Sequence, residues 1–186
     1  MSTSYSKICI SPGHGGADNG AVYGFTEEDD INLAIGFYLD YELRLADVSN
    51  YMTREKDKFV SLEQRSMEAN IKKPKLFISL HCDAYHKKTA SGMTVHVYKH
   101  PSMGALRAAS LIGRQLQIHF PLHRYRGIKK SNFHVLRETH MPAVLVECEF
   151  LSNPDTRKFL REPENQKRLA QAIKRGSIKY LDEIGG

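Results

Sequence analysis

Apolar residues follow two rhythms along this chain: short unbroken runs, and longer stretches where they recur every three or four positions. The runs read as strands buried on both faces, and the longer stretches as amphipathic helices. A first strand is predicted at Lys7 to Ser11, closed by the turn cluster Pro12, Gly13, Gly15 and Gly16. From Glu28, the positions Ile31, Ala34, Ile35, Tyr38 and Leu39 follow helical spacing. Asp29 and Asp30 fall in that helix's first turn, where acidic side chains suit the positive end of its dipole. A weaker strand near Val48 to Thr53 precedes a second helix from Leu62 to Ile71, capped at Ser61. Leu76 to Leu80 then form a continuous apolar run, a buried central strand ending at His81.

Beyond it the pattern predicts a strand at Met93 to Tyr98 and a helix around Leu106 to His119 that stops before Pro121. A short strand at Phe133 to Leu136, a buried strand at Ala143 to Cys148 and a closing helix over Gln166 to Leu181 complete the reading. Strands and helices alternate without a repeat or a linker. The expected fold is α/β: a single domain over residues 1–186, with a central, largely parallel twisted sheet and helices on both faces.

Composition narrows the partners. The chain has 186 residues, enough to bury a core without staples, and no apolar run approaches the roughly 20 residues of a membrane span. No membrane partner is therefore expected. The apolar stretch Ile8 to Ile10 is too short for the core of a secretory signal, so the sequence predicts synthesis in the cytoplasm without an export signal. Cys9, Cys82 and Cys148 are far apart and flanked by strand-like residues, which reads as three buried free thiols. A net charge of +6 favours approach to a polyanion. Nucleic acid is not the expected one, because basic residues are not interleaved with aromatics and no recognition motif is present. Arg124, Arg126, Lys129 and Lys130 form one short basic cluster, expected to be a loop that is either a solvated turn or a substrate contact.

Ligand sites of open α/β sheets lie beyond the carboxyl ends of strands. His14 falls just past the first predicted strand, His81 ends the central one, and Glu147 lies near the end of the late one. Glu28, joined to His14 by a modest loop, can fold back to the same edge. Two imidazoles and a carboxylate are a ligand set for catalytic Zn²⁺ that leaves a fourth position open. Glu147 sits in the apolar run Ala-Val-Leu-Val-Glu, where a carboxylate needs either a partner or a task; it is the candidate general base, with a buried ion pair as the alternative. The Gly-rich SPGHGG segment lacks the Lys and Ser/Thr of a phosphate loop.

These segments together resemble the zinc-dependent N-acetylmuramoyl-L-alanine amidases of bacterial autolysins and phage endolysins. The likeness rests on SPGHGG at 11–16, GFTEEDDINLAI at 24–35, VSLEQRSMEAN at 60–70, LFISLHCDA at 76–84 and RGIKKSNFHVLRETHMPAVLVECEFLSN at 126–153. It implies one Zn²⁺ held by His14, Glu28 and His81, Glu147 as catalytic acid/base, and peptidoglycan as substrate. The bond cut would join the lactyl group of N-acetylmuramic acid to L-alanine.

Three positions depart from, or complicate, that pattern. Ser11 stands where the family usually has Asp, which removes a candidate partner for orienting His14. Glu27 adjoins Glu28, and counting back from Asn32 and Leu33 assigns the ligand to Glu28. Glu149 replaces a small residue, and strand alternation would put it on the face of Glu147, as a second cleft carboxylate or as half of an ion pair. His134, on the predicted FHVLR strand, and His140 are candidates to line the cleft. His86, His96, His100, His119 and His123 read as surface or satisfied residues.

Competing readings are a peptidoglycan-binding module that has lost catalysis and a zinc exopeptidase on a similar scaffold. All four matched positions are present, which argues against the first. With the catalytic domain filling the chain, no separate wall-binding domain is expected, and wall attraction would fall to the basic surface. Such attraction would weaken with salt. Without an export signal, the enzyme would reach the wall after assisted release or on lysis of the producing cell.

Overall fold

A computed structural model describes residues 7–185. The first strand, β1 (Ile8–Pro12), leads through a loop and a two-stranded ribbon, β2 (Val22–Tyr23) and β3 (Thr26–Glu27), into helix α1 (Glu28–Arg44). Strand β4 (Asn50–Met52) and helix α2 (Leu62–Lys72) follow, then β5 (Leu76–Asp83) and β6 (Met93–Tyr98). Helix α3 (Met103–His119), strand β7 (Tyr125–Ser131), the one-turn helix α4 (His134–Arg137), strand β8 (Ala143–Phe150) and helices α5 (Pro154–Arg161) and α6 (Pro163–Glu183) complete the chain.

Six strands form one sheet in the order β4-β1-β5-β8-β6-β7. Every neighbouring pair is parallel except β6 with β8. The carboxyl ends of β1, β5 and β8 therefore lie side by side, and the amino ends of β6 and β7 meet them at the same edge. Alternation sorts the side chains. Ile8, Ile10, Ile78, Leu80, Val144 and Val146 join the larger core with α1, α3 and α6, while Cys9, Phe77, Ala143 and Leu145 join a smaller core with Ala69 of α2 and with Val135 and Leu136 of α4. Helices thus cover both faces. Ser61 caps α2 by accepting a bond from the Gln64 N–H while the Gln64 side chain accepts one from the Ser61 N–H, a reciprocal capping box. The three cysteines are buried and free.

Some segments differ from expectation. Residues 133–136 do not form a strand: Phe133 precedes the first turn of α4. Val135 and Leu136 are both buried in the same small core, which a helical turn permits and a strand, with its alternating faces, does not. The basic cluster is no loop either. Arg126, Lys129 and Lys130 belong to β7, an edge strand whose exposure hides the apolar alternation that would have marked it, and Arg124 immediately precedes it. Helix α5 was also not expected, although Asn153 caps it and Pro154 occupies its first turn.

Candidate active site

The edge where β1, β5 and β8 end gathers four ionisable side chains: His14, Glu28, His81 and Glu147. His81 and Glu147 are register partners on adjacent parallel strands. Past β1 the chain turns sharply, with His14 itself in the left-handed region at φ 59°. Glu28 opens α1, so the helix start delivers its carboxylate to the same edge. Two close approaches need glycine. A Cβ on Gly13 would collide with the His81 ring, and one on Gly20 would lie 2.6 Å from His14 Cδ2 and 2.7 Å from Glu28 Oε2.

Glu28 Oε1 lies 3.2 Å from His14 Nε2 and 2.9 Å from His81 Nδ1. Its two oxygens also accept backbone bonds, Oε1 from the Cys82 N–H and Oε2 from the Ala21 N–H. One ligand atom from each of His14, Glu28 and His81 lies within 4.8 Å of the others, so these three residues are able to hold a metal ion. Burial by itself would raise the Glu28 pKa, but hydrogen bonds with both histidines outweigh it and keep the carboxyl well below its usual range. Burial pulls His14 down, and Glu28 and Asp18 together lift it to about 9. The donor set, two imidazoles converging on one carboxylate oxygen, fits a divalent cation with mixed nitrogen and oxygen preference. Glu27 is not part of it; its Oε2 accepts a bond from Asn19 Nδ2.

Asp18 holds the His14 ring from behind, its Oδ2 lying 2.9 Å from Nδ1 and leaving Nε2 to face Glu28. Asp18→Ala is expected to weaken metal affinity about 10- to 100-fold, the usual cost of losing such a partner. Competition against a chelating indicator dye measures this, and an unchanged affinity would show that the ring is oriented by other contacts.

Two buried arginines fix the loop that carries His14. Arg54, 1% exposed, donates to the carbonyls of Pro12, Gly13 and Asp29. Arg65, 3% exposed, donates to the Pro12 carbonyl, the His14 carbonyl and the Ser11 hydroxyl. Ser11 therefore acts on the His14 backbone through Arg65, and the ring itself is held by Asp18. Neither arginine was among the expected site residues, because charged side chains read from sequence as solvated.

Beside the triad lies a cleft of about 310 Å³ whose lining includes Glu147, Leu62, Asp83, Phe133 and His134. Burial pushes the Glu147 pKa well above the usual carboxylate value, with Asp83 and Glu28 adding to it. Its Oε2 has no hydrogen-bond partner among the described residues, and neither does the hydroxyl of Thr94, which faces it across the antiparallel β6–β8 pair. His134 lines the cleft from α4, with Nε2 3.5 Å from Ser66 Oγ. His140 lies outside it, its backbone N–H bonded to Asn70. His96 is buried and bonded to Ser131, and burial lowers its pKa to about 4.

Glu149 does not share the face of Glu147. Two steps along β5, from His81 to Asp83, match three along β8, from Glu147 to Phe150, and this bulge breaks the alternation. Glu149 accepts bonds from the Gly92 N–H at 2.7 Å and pairs with His123 at 3.0 Å. The His123 ring packs against Phe120 and Phe159, on the larger-core side.

Comparison with known proteins converges on one family. Residues 8–179 match the family described as N-acetylmuramoyl-L-alanine amidase. The chain is 32% identical over 176 residues to protein YqiI of Bacillus subtilis (strain 168), covering 95% of this chain and 85% of that one. It is 30% identical over 174 residues to the N-acetylmuramoyl-L-alanine amidase LytC of the same organism, covering 93% of this chain but only 35% of that longer relative. The crystal structure of the N-acetylmuramoyl-L-alanine amidase from Clostridium difficile 630 superposes with a TM-score of 0.91 at 32% identity, over 94% of this chain and 96% of that one. With a match that spans nearly all of its strands and helices, the chain belongs to the N-acetylmuramoyl-L-alanine amidase family.

Proposed function

We propose that this chain is a zinc amidase that hydrolyses the bond between the lactyl carbonyl of N-acetylmuramic acid and L-alanine in bacterial peptidoglycan. Residues 1–186 would act as one catalytic domain. His14, Glu28 and His81 would hold a single Zn²⁺, and the convergence of their ligand atoms beside Glu147 is the observation that carries the reading. When bound, zinc supplies Lewis acidity, polarising a carbonyl and making water acidic near neutral pH.

The protein's own groups then have separate tasks. Glu147, with a raised proton affinity and a free carboxylate oxygen, takes a proton from the attacking water and returns it to the departing amine. Asp18, Arg54 and Arg65 hold His14 in place. No helix among the described residues is long and apolar enough to cross a membrane. Basic surface residues would supply attraction to an anionic wall.

The test is release of muramoyl-lactyl carboxyl ends and L-alanine amino ends from purified walls. Both should appear with the wild type, fall to background with chelator and return with added zinc. Walls that are bound but left uncut after zinc addition would replace the enzyme with a binding module.

A further inference from the structure

Three hollows adjoin one another in series at the site edge. One of about 380 Å³ lies between the triad and residues 59–63, and includes the exposed Phe59 and Leu62. It shares His14 and His81 with the central cleft. Asp83 joins the cleft to a third hollow of about 360 Å³, bounded by Lys87, Arg126, Lys129 and Phe150. A substrate cut at the triad would extend both ways along this series, and the two arms differ in chemistry. The first is bordered by exposed apolar side chains. The third presents three cations against one carboxylate, Asp83.

Arg126 is set in position before any ligand arrives. Two steps along β6, from Met93 to Val95, match three along β7, from Tyr125 to Ile128, and Arg126 lies in that bulge. Its guanidinium lies over the Phe150 ring at 5.3 Å and donates from one terminal nitrogen to the Ser91 carbonyl at 3.1 Å. Gly92 gives its side chain room: a Cβ there would lie 2.9 Å from Arg126 Cγ. The buried Glu149 holds that glycine by its N–H. Lys129 pairs in register with His96, on the sheet face that also carries Thr94 and Glu147. Neither Arg126 nor Lys129 has a carboxylate within ion-pair distance among the described residues, and the Arg126 Nε is buried without a partner.

We infer that this third hollow is a carboxylate subsite, in which Arg126 and Lys129 bind a free carboxylate of the stem peptide a residue or so beyond the scissile amide. The inference rests on the amidase reading for the identity of the peptide. It orients the substrate: the peptide runs past Asp83 toward β7, and the muramoyl sugar lies toward Phe59. A guanidinium and an ammonium recognise a carboxylate by charge-assisted hydrogen bonds, which the neutral amide of the same residue cannot match.

The experiment uses two soluble muramoyl peptides that differ only in having an acid or an amide at the residue after L-alanine. Binding is read by calorimetry on zinc-loaded Glu147→Ala, so that turnover is not required, and hydrolysis is read on the wild type. The acid should bind about tenfold more tightly, a difference of about 1.4 kcal/mol. Adding Arg126→Gln or Lys129→Gln should shrink that preference toward unity. Equal binding of acid and amide, or a preference that survives both substitutions, overturns the subsite. A clear preference in binding without any hydrolysis by the wild type supports the subsite and sinks the catalytic reading instead.

Discussion

Glu147→Ala is expected to lower amide hydrolysis by about 10²- to 10⁴-fold, the range over which a positioned acid/base contributes. Zinc content should stay at the wild-type level, because the triad is His14, Glu28 and His81 and does not include Glu147. Fold stability should stay the same or rise. The carboxylate is desolvated, lies near Glu28 and Asp83, and leaves Oε2 without a partner, so its removal relieves a cost and breaks no hydrogen bond of that oxygen. Glu147→Gln, which keeps the shape and loses the base, should be as inactive. Metal analysis, thermal melting and hydrolysis on one preparation separate the possibilities. Activity within tenfold of wild type would remove Glu147 from the chemistry, and loss of zinc would make it part of the metal site.

Arg65→Met is expected to destabilise the fold by roughly 3–5 kcal/mol, since it leaves buried acceptors without their charged donor. For a chain of this size that is a fall in Tm on the order of 10 °C. The carbonyls of Pro12 and His14 and the hydroxyl of Ser11 would all lose a bond. Metal affinity should drop as well, because the His14 backbone is held in the left-handed region by the loop these bonds close. Arg65→Lys should fall between, since an ammonium cannot reproduce the fork. A melting temperature within about 2 °C of wild type would show that solvent replaces the guanidinium at little cost.

Much of the fold was legible because the strands nearest the site are buried on both faces. Leu76 to Leu80, apolar but for Ser79, and Ala143 to Val146 are buried runs, and His81 and Glu147 follow directly on them. The rule that ligands gather beyond the carboxyl ends of strands then places His14, His81 and Glu147 together. What the sequence hid was decided by tertiary contacts. Strand β7 sits at an edge and reads as a basic loop, while Phe133 to Leu136 has strand-forming residues but packs as a helical turn beneath α2. The bulge in β8 is likewise invisible in the sequence, and it turns Glu149 from a cleft carboxylate into the buried partner of His123 and Gly92. Arg54 and Arg65 escaped notice because their partners are backbone carbonyls far away in the chain, with no nearby carboxylate to announce a pair.

The last strand in sequence occupies the middle of the sheet. Strand β8 lies between β5 and β6, and closes one side with parallel bonds and the other with antiparallel ones. A ribosome releases this chain from the amino end, so His14, Glu28 and His81 emerge while the slot for β8 is still vacant. Pairings this distant in sequence form late, after the intervening chain is available. A nascent chain, or one cut short before residue 143, therefore has the three candidate metal ligands but lacks Leu145 of the cleft lining and the candidate base Glu147. Synthesis itself delays assembly of the machinery until β8 has been made.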